Sequence, residues 1–177
     1  MFIEKSALVE PGAIVGENTK IWHHAHVRSG ASLGDNCVIG KGVYIDTGVV
    51  VGSGVKIQNY VSLYNGVTIE DDVFLGPQCV FTNDLRPRAS AINWEIVPTL
   101  VRQGASVGAN ATVICGVTID RWSMVGAGAV LTRSTRPYEL VTGIPARNAG
   151  WVCTCGQPLE ENPMRDKSGV IMCKHHP

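Results

Sequence analysis

Charge of either sign is scarce in this chain, and neither sign is in excess. Fifteen Lys and Arg balance fifteen Asp and Glu, and together they make up only 17% of the 177 residues. A chain with no net field has nothing to draw it to a nucleic acid or an anionic membrane, so neither is expected as a partner. Long apolar runs are absent as well, and no stretch approaches the ~20 residues of a membrane span. The opening Met1-Phe2-Ile3-Glu4-Lys5 lacks the basic and apolar regions of a secretory signal, so the expected location is the cytoplasm. Six cysteines without such a signal point to a reducing compartment, where thiols are packed or bound to metal. Hydrophobic residues reach 45% and glycines number 20, which excludes a disordered composition and leaves one folded domain's worth of chain.

What the chain does have is a period of six. Counting from Ile21, the residues at Val27, Leu33, Ile39, Ile45, Val51, Ile57, Leu63, Ile69, Leu75 and Phe81 are all apolar. Against a 45% background, eleven in succession have odds of roughly 1 in 6,500. The count lapses after Phe81 and resumes at Val101, Val107, Val113, Ile119, Val125 and Leu131. Four places after each anchor stands a small or β-branched residue, from Ala25, Ala31, Cys37 and Val43 to Val73 and Cys79. Neither a helix nor a hairpin sheet repeats every six residues; a solenoid with one short strand and one turn per hexapeptide does. Three hexapeptides per triangular coil would stack residues 18 apart, with Cys37 and Cys79 as core packing. Outward positions at Val38, Tyr44, Val50, Phe74, Val80, Met124 and Val130 are apolar, and rows of this kind on a flat face suggest burial against a neighbour.

These residues resemble the hexapeptide-repeat acyltransferases over about residues 8–147. The resemblance implies an all-β fold, a left-handed parallel β-helix with one protruding loop and a short irregular C-terminal tail. The helix domain is expected over 1–150, its loop at about 84–99, and a Cys/His-containing tail over 151–177. It also implies a homotrimer with active sites between subunits.

The stretches "FTNDLRPRA", "TLVRQGASVGANATVICGVTI" and "IWHHAHVRSGASLG" are similar to a narrower group. These are the bacterial N-acetyltransferases of 3-amino nucleotide sugars, chiefly those acting on UDP-2-acetamido-3-amino-2,3-dideoxyglucuronate in surface polysaccharide assembly. The resemblance implies acetyl-CoA as co-substrate, a nucleotide sugar as acceptor, and no metal in the reaction. An amine attacks a thioester, and most of the acceleration comes from holding the two reactants in line. No His lies in or beside the loop. The residue matching Asn83 positions the amine in this group, with the departing sulfur taking the proton. Asp84 either shares that proton or caps the loop. Arg86 and Arg88 are candidate forks for a uronate carboxylate, or else solvated loop arginines. Asn65 and His24 are the other candidate substrate contacts. The runner-up acceptor, a dTDP-3-amino-3,6-dideoxyhexose, has no carboxylate to grip.

For the CoA, small corner residues (Ala109, Gly126, Ala127) leave room for a thin pantetheine arm. Arg102, Arg133, Arg136 and Arg147 are candidate phosphate partners, though small corner residues are also what any solenoid turn wants. His23, His24 and His26 raise a metal enzyme of the γ-type carbonic anhydrase kind. Neighbours on an extended strand point to opposite sides, so a three-His grip there is awkward. In the tail, Cys153, Cys155, Cys173 and His175 have the chemistry of a four-ligand zinc site, with free thiols as the alternative.

Overall fold

The computed structural model describes residues 1–161 and 163, and it is a three-sided solenoid of about eight turns with no α-helix among the described residues. Nearly every strand is two residues long, with the first side chain outward and the second buried, as in Lys20–Ile21, Val38–Ile39 and Lys56–Ile57. The three faces are sheets of ten, seven and six strands, parallel throughout the coils. The first face begins at Phe2–Ile3, the second at Leu8–Val9 and the third at Ile14–Val15. Together they form the left-handed β-helix that the period implies.

Register explains why the period works. Lys20 pairs with Val38 and Lys56 with Phe74, each 18 residues on, so every inward residue stacks on its equivalent one coil away. The anchors from Ile21 to Phe81 are 0–2% exposed, and so are the slots from Ala25 to Cys79, Cys37 included. Each fully buried Val, Leu or Ile contributes about 1.5–3 kcal/mol. Burial pushes the Cys79 thiol up to about 12 and raises that of Cys37, so both act as packing. Corner residues take left-handed backbone, as at His24, Tyr60, Gln78 and Asn110 along one edge. At Gly104 the next coil's Trp122 ring lies where a side chain would begin, so only glycine fits.

After the break the register changes. Val67 pairs with Thr99, Phe74 with Ser106 and Val80 with Thr112, each 32 residues apart rather than 18. The excursion therefore inserts fourteen residues between the second-face strand Val80–Phe81 and the third-face strand Thr99–Val101, and leaves the phase intact. The solenoid ends in a strand at Glu139–Thr142, which pairs with an antiparallel strand Arg147–Val152, and that strand pairs in turn with Pro158–Leu159. The strand Arg147–Val152 runs across residue 150, where the sequence had suggested the tail begins.

Candidate functional site

The neck of the loop is clamped to three coils at once. Val97 N donates to Asn83 O at 3.0 Å, Thr99 N to Gly66 O at 3.0 Å, and Gly116 N to Pro98 O at 3.1 Å. Gly66, at φ 97°, has Ile96 Cγ2 packed where a Cβ would stand, which fixes glycine there. Beyond the neck the loop is exposed, with Ile92 at 93% and Trp94 at 53%. Two open cavities share Trp94: one of about 680 Å³ lined by Asp84, Arg86, Ile92 and Glu95, and one of about 520 Å³ lined by Asn83, Asp84, Pro87 and Arg88.

Asn83 and Asn65 stand 18 residues apart on the corner after the second face, and Asn83 Nδ2 donates to Asn65 O at 3.3 Å. The chain of contacts runs on down the edge: Asn65 N donates to Asp46 Oδ2 at 3.3 Å, and Arg28 Nη1 and Tyr44 OH each donate to Asp46 Oδ1 at 3.0 Å. Burial works to raise the Asp46 pKa, and the bonds from Thr47 N, Tyr44, Asn65 N and Arg28 outweigh it and hold it low. Asn83 is thus seated on a rigid polar column. The side chain of Asp84 is turned to its own loop, with Oδ1 accepting from Arg86 N at 2.7 Å. Arg88 Nη1 donates to Pro87 O at 2.8 Å.

The structure brings Asn65, Asn83, Asp84, Arg86 and Arg88 together and separates the other candidates. His24 sits on the corner after the first face, its backbone N donating to Ser6 Oγ at 3.3 Å. Ala109, Gly126 and Ala127 share that corner. Gly126 has a packing reason, because Thr142 Cγ2 lies 2.7 Å from where its Cβ would be; Gly128 has open space. Arg102 is on the third corner, 3.9 Å from Asp120 Oδ1. His23 Nδ1 lies 3.5 Å from Glu4 and His26 Nε2 lies 2.7 Å from Glu10, so the histidines face separate carboxylates. Among the described residues no group of three His, Cys, Asp or Glu is placed to hold a metal ion. Cys173 and His175 lie outside the described residues.

Arg133 and Arg136, read as phosphate partners, both converge on Glu139, which is fully buried. Arg133 Nη2 reaches Glu139 Oε1 at 2.8 Å and Arg136 Nη2 reaches it at 3.1 Å, with Asn148 Nδ2 at 3.0 Å. Burial alone would raise that carboxyl; the two guanidinium groups, Arg136 N and Asn148 hold it down at about 2. Arg147 Nη1 donates to Ala146 O at 3.0 Å. A residue missed in the sequence is Cys115, which is 32 positions beyond Asn83 on the same corner. It is 4% exposed, and its N–H is taken by Thr82 Oγ1 at 2.9 Å. Only the fourteen-residue offset of the loop, added to the period, would have revealed it.

A three-faced parallel coil with one clamped loop defines a class, and the chain belongs to it: the hexapeptide-repeat acyltransferases. The family described as bacterial transferase hexapeptide (six repeats) matches residues 2–47 and 48–83, and the hexapeptide repeat of succinyl-transferase matches 30–65 and 103–133. Within that class, the chain is 43% identical to the dTDP-3-amino-3,6-dideoxy-alpha-D-galactopyranose 3-N-acetyltransferase of Aneurinibacillus thermoaerophilus, over 97% of this chain and 88% of that one. Among solved structures, the N-acyltransferase AntD from Bacillus cereus, in complex with dTDP and coenzyme A, superposes with a TM-score of 0.70 at 20% identity. That match covers 78% of this chain and 83% of the other. PerB from Caulobacter crescentus, bound to CoA and GDP-perosamine, gives 0.54 at 25% identity over 84% of this chain and 56% of its own. No helix among the described residues is long and apolar enough to cross a membrane.

Proposed function

We propose that the protein transfers acetyl from acetyl-CoA to the 3-amine of a nucleotide-linked 3-amino hexose. The observation that carries this reading is Asn83, seated on the Asn65 column at the neck of the loop and beside its cavity, in a chain alike over nearly its whole length to a 3-N-acetyltransferase. The Asn83 amide orients the amine for attack on the thioester carbonyl. The C–N bond forms, the C–S bond breaks, and the amine's proton leaves with the thiolate. Asp84 caps the loop through Oδ1, which accepts from Arg86 N. Holding the two reactants in line is worth about 7–11 kcal/mol, so no dedicated base is required.

The acceptor is a 3-amino-3,6-dideoxyhexose on dTDP, the class named for the 43% identical relative. It ranks ahead of the UDP-linked uronate that the sequence resemblance favours. The uronate stands as the second reading because two guanidinium groups, Arg86 and Arg88, line the loop cavities. Acetyl-CoA suits the first-face corner, where Gly128 leaves open space between Ala109 and Ala127 and the end of the solenoid. That corner and the Asn83 corner are opposite edges of one face, so a single chain does not close the site. Half-exposed apolar residues on all three faces, Phe74 on the first, Val80 on the second and Val50 on the third, favour a homotrimer in which the edge of one copy completes the site of the next. The cytoplasm, where acetyl-CoA and nucleotide sugars are made, remains the expected location.

A thiol-release assay with acetyl-CoA and a panel of dTDP- and UDP-linked 3-amino sugars tests this. Turnover with the dTDP-linked 6-deoxy sugars and little with the uronate is expected. Turnover with the uronate alone would reverse the order of the two readings, and none with any 3-amine would end both.

A further inference from the structure

A chain with no net charge still places its charge unevenly. Every lysine among the described residues, Lys5, Lys20, Lys41 and Lys56, stands on the first face or on the corner after it. The acid beside them in these lower coils is Glu4, which lies 3.5 Å from His23. The third corner of the same coils carries Glu17, Asp35, Asp71 and Asp72 instead. Ion pairs among the described residues use arginine or histidine, so none of these ammonium groups is matched to a carboxylate.

Within this basic edge the coils leave a notch. Trp22, Gly40 and Gln58 follow one another at 18-residue steps, and Gly40 has no side chain between the other two. Glycine is fixed there by the next coil, because a Cβ would stand 2.8 Å from Asn59 N and Gln58 C. The result is an open cavity of about 270 Å³ lined by Trp22, His23, Lys41, Gln58 and Asn59. Its walls are held in place. Phe2 packs on the Trp22 ring at 5.4 Å, Ser6 Oγ meets His23 Nδ1 at 3.2 Å, and Lys41 N donates to Asn59 Oδ1 at 2.9 Å. A flat ring, an ammonium, an imidazole and a carboxamide are the groups that take a heterocyclic base and its phosphates.

Height along the solenoid separates the two ligands that could fill it. Asn83 belongs to the coil of Phe74–Leu75, two coils above Gly40, or about 10 Å at the spacing of paired strands. Ala109 and Ala127, on the corner that suits acetyl-CoA, lie one and two coils above that level. Two ligands that meet end to end at Asn83 leave it in opposite directions, and the coils below remain for the acceptor. We propose that the notch is the nucleoside diphosphate subsite of the acceptor, with the base on Trp22 and the diphosphate on Lys41 and His23. The identity of the ligand rests on the acetyl-transfer reading above. Gln58, whose carboxamide both donates and accepts, suits the edge of a pyrimidine. The first-face corner and the Asn83 corner are opposite edges of one face, so the copy that holds the nucleotide is not the one that supplies Asn83.

Titration calorimetry of the full-length protein with dTDP, with UDP and separately with coenzyme A tests the assignment without any need for turnover. Trp22→Ala and Lys41→Ala should each weaken the tighter-binding nucleotide by roughly tenfold, with coenzyme A affinity unchanged. Lys41→Arg, which keeps the charge, should retain most of the affinity. In the acetyl-transfer assay the alanine changes should raise KM for the nucleotide sugar and leave kcat and KM for acetyl-CoA as they were. Both side chains are exposed, so the melting temperature should stay that of the parent. Unchanged nucleotide affinity in both alanine variants, or a loss confined to coenzyme A, would overturn the subsite and leave the acetyl-transfer reading standing. A parent protein that binds neither nucleotide would overturn it as well. Nucleotide binding that depends on Trp22 and Lys41, in a protein that acetylates no 3-amine, would support the subsite and end that reading.

Discussion

The coils and the loop are built from one chain under opposite conditions. In a coil each inward side chain meets its equivalent one coil away, 18 residues on in the regular turns and 32 across the loop, and the partner is supplied by the chain itself. In the loop, Leu85, Ile92 and Trp94 are exposed while the neck beneath them is fixed by three backbone bonds. These apolar side chains stand on a rigid base and stay half or more exposed. On the proposed function, the difference makes stability and activity separable, the first carried by the coils and the second by the loop and its neck.

The sharpest way to break that separation is to remove the loop. Deleting residues 84–97 restores an 18-residue register between Val67 and Thr99, provided that Pro98→Gly is made too. Pro98 would otherwise fall on the corner that Gly66 and Gly116 occupy with positive φ, which proline cannot adopt. The expected result is a chain that melts cooperatively near the parent temperature with no acetyl transfer; unfolding would show that the loop holds the coils together. The converse change, Leu75→Ala in the fully buried core, should cost about 2–5 kcal/mol in denaturant unfolding.

A third test uses the buried carboxylate at the solenoid's end. The Glu139 pKa is about 2 when folded and 4.5 ordinarily, so its contribution is complete above pH 4.5 and is lost as pH falls toward 2. That shift corresponds to on the order of 3 kcal/mol, and Glu139→Gln should flatten the acid limb of a stability–pH profile. Asn83→Ala should lower kcat tenfold or more, about 1.4 kcal/mol of barrier, with KM for acetyl-CoA unchanged. The smallest effect concerns Thr99, buried with no hydrogen-bond partner for its Oγ1 among the described residues, in a slot that Val67 and Val117 fill in the coils on either side. Thr99→Val should stabilise by about 1 kcal/mol in the same unfolding measurement.

The coils were legible because burial imposes the same demand every six residues, so Ile21 to Phe81 announce the fold without any knowledge of contacts. The loop was legible as the place where that demand lapses, whereas the seating of Asn83 on Asn65 was not read from the sequence. Cys115 was hidden because its place on that column depends on the loop's length as well as the period. Arg133 and Arg136 were read as phosphate partners because an arginine's charge is visible in sequence and the turn that buries Glu139 beside it is not. The closing hairpin was equally silent, since an antiparallel pairing carries no six-residue mark across residue 150.

The three-point clamp at the loop's base turns the excursion into a cassette. Because the chain leaves at Asn83 and re-enters at Val97 without shifting the phase of the later coils, segments of other lengths can be spliced between those two points. Exchange of this segment between homologous enzymes should therefore carry acceptor preference with it, while the scaffold beneath stays as it was.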